Sequence, residues 1–365
     1  MGRLIKLKSR MCISIGLMFI VLFGFLSGIT FLAFYLLNWI NPVFGIDLST
    51  FVMISLVLAG ITGLFILFQW AVGPAAVRSS INLRYLERGE NPWLESVVRE
   101  IAQKSSIPPP KIAVTPDEGT NAFVFGRTAK SANLVVTKGL LTKLNKKEIE
   151  AVIGHEIGHI KHKDHLVMTC LAAIPIFCFI IATLAFHSLR FAHVPSGRRK
   201  EGGAILLLLV AVAIVAMVAY IVGLLIVRTL SRMREFYSDA YSAYVTENPR
   251  ALKSALTKIA YGLSVNPKET EGVRAFFIED PTRARDEIQS IIEHGSEYDL
   301  DKDGTLDEKE LELAMEKEAK MSRWNRLNNL FSTHPPTYKR ILLLSQIEKE
   351  MSTGRYTSRN IYKYV

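Results

Sequence analysis

The sequence predicts a mainly α membrane protein, with four transmembrane helices joined to a soluble α+β part. Three observations carry that prediction. Hydrophobic residues make up 49% of the 365, yet 44 Lys and Arg and 34 Asp and Glu are also present. The two populations are segregated: Met11–Ile40, Phe51–Val77, Leu166–Leu189 and Gly202–Val227 contain no charged side chain. Finally, Lys111–Thr115, Ala122–Phe125 and Asn133–Thr137 alternate in the manner of short strands between Gly- and Asp-containing turns.

Each charge-free run exceeds the roughly 20 residues that a helix needs to cross a bilayer. With a mean hydropathy of +0.22, this excludes a secreted disulfide-stapled domain and a disordered chain. Cys12, Cys170 and Cys178 all lie in apolar runs, and they form neither a disulfide framework nor a CxxC metal site. The net charge of +10 falls on the soluble segments. Such an excess suits anionic lipid headgroups, and no nucleic-acid motif accompanies it, so the expected partner is the lipid bilayer and not nucleic acid. Transport paths are usually marked by intramembrane charges; the spans have none, which argues against a transporter.

Residues 1–77 read as a cytoplasmic tail and two spans. Arg3, Lys6, Lys8 and Arg10 precede an apolar run too long for the core of a signal peptide, about 7–15 residues. It therefore reads as an uncleaved anchor with its basic end inside. Residues 78–165 form a first soluble block. Its expected elements are a helical stretch over Ser79–Ser105, the three strands, and a helix running to about His165. Asn145-Lys-Lys-Glu148 has the spacing of a capping box and opens that helix. Residues 166–227 read as a membrane hairpin, and 228–365 as a second, mostly helical block with an acidic loop at 299–310. Arg190, Arg198, Arg199 and Lys200 in the hairpin loop run against the positive-inside tendency. Two full crossings are still expected, because uncharged runs of that length are costly to leave in water.

Within the first block, His155-Glu156-Ile157-Gly158-His159 is an HExxH segment. Residues four apart share a helix face, so both imidazoles can face one zinc ion while Glu156 serves as general base on its water. Ile149, Ile153, Ile157 and Ile160 form a stripe on the face away from the histidines, which would leave the ligands looking into a cleft. A third protein ligand is needed. His165 has the metzincin spacing, but that pattern places glycine where this chain has His162, and Lys161-His-Lys-Asp164 offers no break in the helix. Glu235, in Ser231-Arg-Met-Arg-Glu-Phe-Tyr-Ser-Asp239, is the preferred candidate. Asp239, one turn on, would orient a zinc-bound imidazole.

HExxH, a membrane hairpin and then an ExxxD helix resemble the HtpX-type membrane zinc proteases, relatives of the CAAX prenyl proteases. Gly119-Thr-Asn-Ala-Phe-Val-Phe-Gly126 and Ser332-Thr-His-Pro-Pro336 match two further motifs of that family, and the resemblance spans nearly the whole chain. It implies an α+β gluzincin-type protease domain and ATP-independent cleavage of membrane or unfolded proteins on the cytoplasmic side of the cell membrane. Carried onto this sequence, the zinc ligands are His155, His159 and Glu235, and the base is Glu156. Asn121 and Ala122 lie on an edge strand that pairs with extended substrate. His334 is placed either to stabilise an oxyanion or as a loop residue held by Pro335 and Pro336.

One feature departs from that family. Asp299, Asp301, Asp303, Thr305, Asp307 and Glu310, with Gly304 at the turn, fit the twelve-residue EF-hand loop and predict a calcium ion. Within the enzymes the alternative is a CAAX-type prenyl peptidase, which has more than four spans; outside them it is a calcium-responsive scaffold with a degenerate site. The scaffold is disfavoured because every expected catalytic residue is present.

Overall fold

A computed structural model describes residues 48–191, 199–265, 332–357 and 360–362, with isolated positions within 13–31 and 295–314. The chain divides into two compact units. One contains 74–166 and 228–365; the other contains 7–73 and 167–227.

The second unit holds the apolar runs. Among the described residues, three helices are long and apolar enough to cross a membrane, over Val52–Ser80, Leu171–Arg190 and Leu206–Thr246. They belong to helices α1 (Leu48–Ser80), α5 (Asp164–Phe191) and α6 (Arg199–Thr246). Of Met11–Ile40 only single helical positions are described, so that expected span lies largely outside the described residues. At about 1.5 Å per residue, the third candidate is roughly twice as long as the ~30 Å hydrocarbon core. Its charged end, from Arg228 onward, falls in the first unit. Leu64, Leu67, Phe68 and Leu184 are each at least 60% exposed. Water would penalise such a surface, whereas lipid tails would not. Within the unit Phe65 packs on Phe177 and Phe179 on Tyr220. Gly223 lets Pro175 approach so closely that an added Cβ would sit 3.4 Å from the proline's own.

The first unit is built on a four-stranded sheet. Its strands are β1 (Arg84–Tyr85), β2 (Lys111–Thr115), β3 (Ala122–Phe125) and β4 (Asn133–Thr137), in spatial order β1-β2-β4-β3. β2 and β4 run parallel, and both outer strands are antiparallel to their neighbours. Ala113, Phe123, Phe125 and Val135 form a buried cluster, against which Val77, Ile81, Leu83 and Tyr85 pack. The stretch Ser79–Ser105 is not one helix. α1 ends at Ser80, β1 follows, and α2 spans Pro92–Lys104. Asn91 caps α2 by accepting from Leu94 N at 3.1 Å, with Pro92 in the first position. Proline is tolerated there at no cost, whereas in a helix interior it removes a hydrogen bond, so the first position is its favoured place.

α3 (Lys138–Lys143) leads to α4 (Lys146–His162), which carries the HExxH segment. Its capping box is formed as expected: Glu148 N donates to Asn145 Oδ1 at 3.0 Å, and Asn145 N donates to Glu148 Oε2 at 2.8 Å. Glu148 also accepts from Ser254 Oγ at 2.5 Å and Lys258 Nζ at 2.6 Å, fastening α4 to α7 (Pro249–Val265). The isoleucine stripe is buried, but so are His155 on the other face and Glu156 between the two. The helix is enclosed, not laid along an open cleft. It also stops earlier than His165. Lys163 adopts a left-handed conformation (φ 60°, ψ 33°), and a new helix begins at Asp164. The break not expected from Lys161-His-Lys-Asp164 is therefore present, and without glycine.

Candidate metal centre

α4 meets the charged end of α6 along small residues. A Cβ on Gly158 would lie 3.3 Å from Ser238 Cα, and one on Gly154 would lie 3.0 Å from Thr246 Cγ2. Ser242 Oγ donates to Ala151 O at 2.6 Å across the same seam. This close approach brings the two functional helix faces together.

His155, His159 and Glu235 converge, their ligand atoms all lying within 4.8 Å of one another. The two Nε2 atoms are 3.1 Å apart, and each is 3.5 Å from a Glu235 oxygen. Behind the imidazoles stand carboxylates: His155 Nδ1 is 2.9 Å from Asp239 Oδ1, and His159 Nδ1 is 2.7 Å from Asp164 Oδ2. An ionised carboxylate only accepts, so each Nδ1 donates to its carboxylate, and each Nε2 is the nitrogen left to take up a proton or a metal ion. Two such nitrogens and a carboxylate thus face one another. Glu235 Oε2 is buried with no hydrogen bond.

Such an arrangement suits a cation. Separations of this size are of the order that donors sharing one ion at about 2.0–2.1 Å would show, roughly 3.3–3.4 Å. Charge points the same way: the carboxyl groups of Glu156, Asp164, Glu235 and Asp239 are buried, and among the described residues the guanidiniums of Arg234 and Arg340 stand against them. Burial disfavours charge on His155, but Asp239 and Glu235 outweigh it and raise its pKa to about 9. The nest therefore draws positive charge. Burial raises the Glu156 carboxyl, and the neighbouring imidazoles oppose that only in part. Asp164 is pushed up by burial but held below the usual range by Arg234 and His159. The residues fit a divalent metal.

Arg340 is fully buried. It donates to both Asp239 oxygens, from Nη2 at 2.7 Å and Nε at 2.8 Å, and its Nη1 is 3.6 Å from Glu235 Oε2. It sits on α8 (Thr337–Ser352), which begins just after Pro335-Pro336. His334, in the preceding loop, is buried, with Nδ1 3.4 Å from Glu235 Oε2. The loop is held by Arg232 Nη1 donating to Ser332 O at 2.8 Å and by Ser332 Oγ donating to His334 O at 2.8 Å. Asn121 and Ala122 are buried at the start of the outer strand β3, and Thr137 N and Oγ1 both donate to Asn121 O. The side chain of His165 lies outside the described residues. So do Asp299, Asp301, Asp303, Thr305 and Asp307; Glu310 is described, buried and accepting from Leu300 N at 2.6 Å.

Sequence reasoning missed Asp164, Arg234 and Arg340. Asp164 and Arg234 flank the recognised motifs, and a basic residue beside Glu235 was the available signal. Nothing local announces Arg340, which reaches Asp239 only through the fold.

Residues 88–348 match the family described as Peptidase family M48. The match covers well over half of the chain, and the helices and the site agree with it: this is a membrane metalloprotease, and the chain belongs to peptidase family M48. Within that family it is of the HtpX type. It is 34% identical over 259 residues to a protein named "Protease HtpX homolog" from Methanothermobacter thermautotrophicus, covering 71% of this chain and 88% of that one. A protein of the same name from Thermococcus kodakarensis is 36% identical over 281 residues, covering 75% and 80%. Among solved structures, that of S. mikatae Ste24p is similar at 17% identity and a TM-score of 0.45, covering 92% of this chain and 67% of its own. That likeness is too distant to carry an argument.

Proposed function

We propose that this protein is a zinc endopeptidase that cleaves peptide bonds of membrane or unfolded polypeptides without ATP, at a site on the cytoplasmic face of the cell membrane. The single observation that carries the reading is the convergence of His155 Nε2, His159 Nε2 and a Glu235 oxygen that accepts no hydrogen bond, beside a buried Glu156. Zinc held there by those three side chains would polarise the scissile carbonyl and acidify a water. Glu156 takes the proton from the attacking water and delivers it to the leaving amine nitrogen, and its upward-shifted carboxyl suits both halves of that transfer. Asp239 fixes the tautomer of His155. Neither ring nitrogen of His334 makes a hydrogen bond, so one is available to donate to the oxyanion that develops on the carbonyl. Asn121 and Ala122 open the outer strand, where an extended substrate can add by backbone pairing, which accepts many sequences alike.

The cytoplasmic orientation rests on the basic residues before the first apolar run and on the loop that follows it, Asn41–Thr50, which has no Lys or Arg and one Asp, Asp47. The loop 299–310 is proposed as a calcium clip. Its support is the match at all ligand positions and the buried Glu310 reaching back to Leu300 N.

The test is cleavage of casein by the purified protein. Glu156→Gln removes the base and no ligand, so it is expected to abolish cleavage while zinc, measured by elemental analysis, stays bound. Near-normal turnover in that variant would sink the assignment.

A further inference from the structure

Only one of the two imidazoles was expected to have a carboxylate behind it; in the structure both do. Asp239 stands behind His155 and is gripped by Arg340. On the opposite side, Asp164 Oδ2 lies 2.7 Å from His159 Nδ1. Arg234 approaches Asp164 twice: its Nη1 donates to Asp164 O at 3.0 Å, and its Nε is 3.4 Å from Oδ2. Ser238 Oγ stands 3.0 Å from the same His159 nitrogen. Asp164 and Asp239 are both buried.

The local chain conformation explains how Asp164 comes to be there. Five residues after His159, a continuous helix would have carried it around the axis and away from the imidazole. The left-handed Lys163 ends α4 and turns the chain, so that Asp164 opens the next helix with its carboxylate beside His159. Its backbone carbonyl is tied to Arg234, one residue before Glu235. The same stretch of α6 thus supplies a proposed ligand and the clamp on its neighbour's support.

We propose that Asp164, clamped by Arg234, is the positioning residue for His159, the counterpart of Asp239 clamped by Arg340 for His155. This rests on the ligand set proposed above. Asp164 does not touch substrate. It holds the His159 ring in the tautomer and orientation that leave Nε2 aimed at the metal, and it raises the basicity of that nitrogen. His159 needs such a hold, since its side chain is 12% exposed against 2% for His155, and packing alone confines it less.

The test is metal affinity, read by competition between the purified full-length protein and a chromogenic chelator, together with the visible spectrum of the cobalt-loaded form. Asp164→Asn is expected to bind metal 10–100-fold more weakly and to change the cobalt bands, because the His159 ring is released. Arg234→Lys keeps the cation and Arg234→Met removes it, so affinity should fall in the order wild type, Lys, Met. The melting temperature of the metal-free protein is recorded for each variant, and a purely structural role would lower it without shifting the cobalt bands. Should Asp164→Asn fail to fold, the graded Arg234 pair decides. Unchanged affinity and spectrum in Asp164→Asn, or in Arg234→Met where that pair decides, would overturn the proposal, provided Glu235→Ala loses its metal. Retention of metal by Glu235→Ala would instead overturn the ligand set beneath it.

Discussion

Arg340 shows how much a single side chain outside the recognised motifs can carry. It is fully buried and its guanidinium spans both oxygens of Asp239. Removing one partner of a buried pair leaves the other charge uncompensated, which costs about 3–5 kcal/mol. Arg340→Met should therefore lower the melting temperature sharply, and Arg340→Lys should restore little, since an ammonium cannot reproduce the two-pronged contact. A Lys variant as stable as wild type would disprove that account. His162 is a second informative residue. It packs against the rings of Tyr237, Tyr241 and Tyr362, its Nε2 is 2.6 Å from Tyr362 Oη, and burial lowers its pKa to about 4. As pH falls below the ordinary value near 6.5, the unfolded chain takes up a proton that the folded protein refuses. Stability is then lost between about pH 6.5 and 4, by at most roughly 3 kcal/mol for this group. His162→Asn should flatten that part of the melting-temperature profile, and an unchanged slope would refute it.

Among the elements, the contact between α4 and the charged end of α6 decides the site. Glycine at 154 and 158, facing Ser242 and Ser238, lets the axes approach until the imidazoles reach Glu235. A Cβ at position 158 would press on Cα and Cβ of Ser238, which cannot rotate away. Gly158→Val should destabilise the protein by about 1–3 kcal/mol, the usual cost of overpacking, and should also lower zinc content by moving Glu235 off the imidazoles. Full metal occupancy in that variant would show that the close approach is not required. The left-handed Lys163 is the other decisive local feature. A non-glycine residue in that region is uncommon, which is why the sequence read there as unbroken helix.

For the molecule as a whole, the arrangement of charge along the chain makes a testable statement about sidedness. The proposed orientation puts the loop after the first span outside and the first soluble block inside. In a background lacking Cys12, Cys170 and Cys178, Gly45→Cys should react with a membrane-impermeant thiol reagent in intact cells. Lys147→Cys, on the exposed start of α4, should react only after lysis. The reverse pattern would place the active site on the other face. The two stretches that build the site are separated by the hairpin, so the chain must cross the membrane an even number of times between them for Glu235 to meet His155; two crossings are proposed.

What could be read along the chain was whatever is encoded by neighbours. Charge-free runs of 24–30 residues announce membrane segments, because hydrocarbon admits no unpaired backbone group and few charges. The strand limits, the Asn145–Glu148 cap and the HExxH helix were legible because alternation, capping and helical periodicity are short-range. Glu235 and Asp239 were legible because they share one helix face. Arg340 could not be found this way, because a guanidinium chooses its carboxylate by proximity in space and nothing in its own segment differs from that of a surface arginine. Asp164 was hidden for a related reason. Its position depends on a single left-handed residue, and a lysine adopts that conformation only when the packing around it compensates the strain. The chemistry of the site was thus local in the sequence, while the supports that hold both imidazoles in place exist only once the helices have come together.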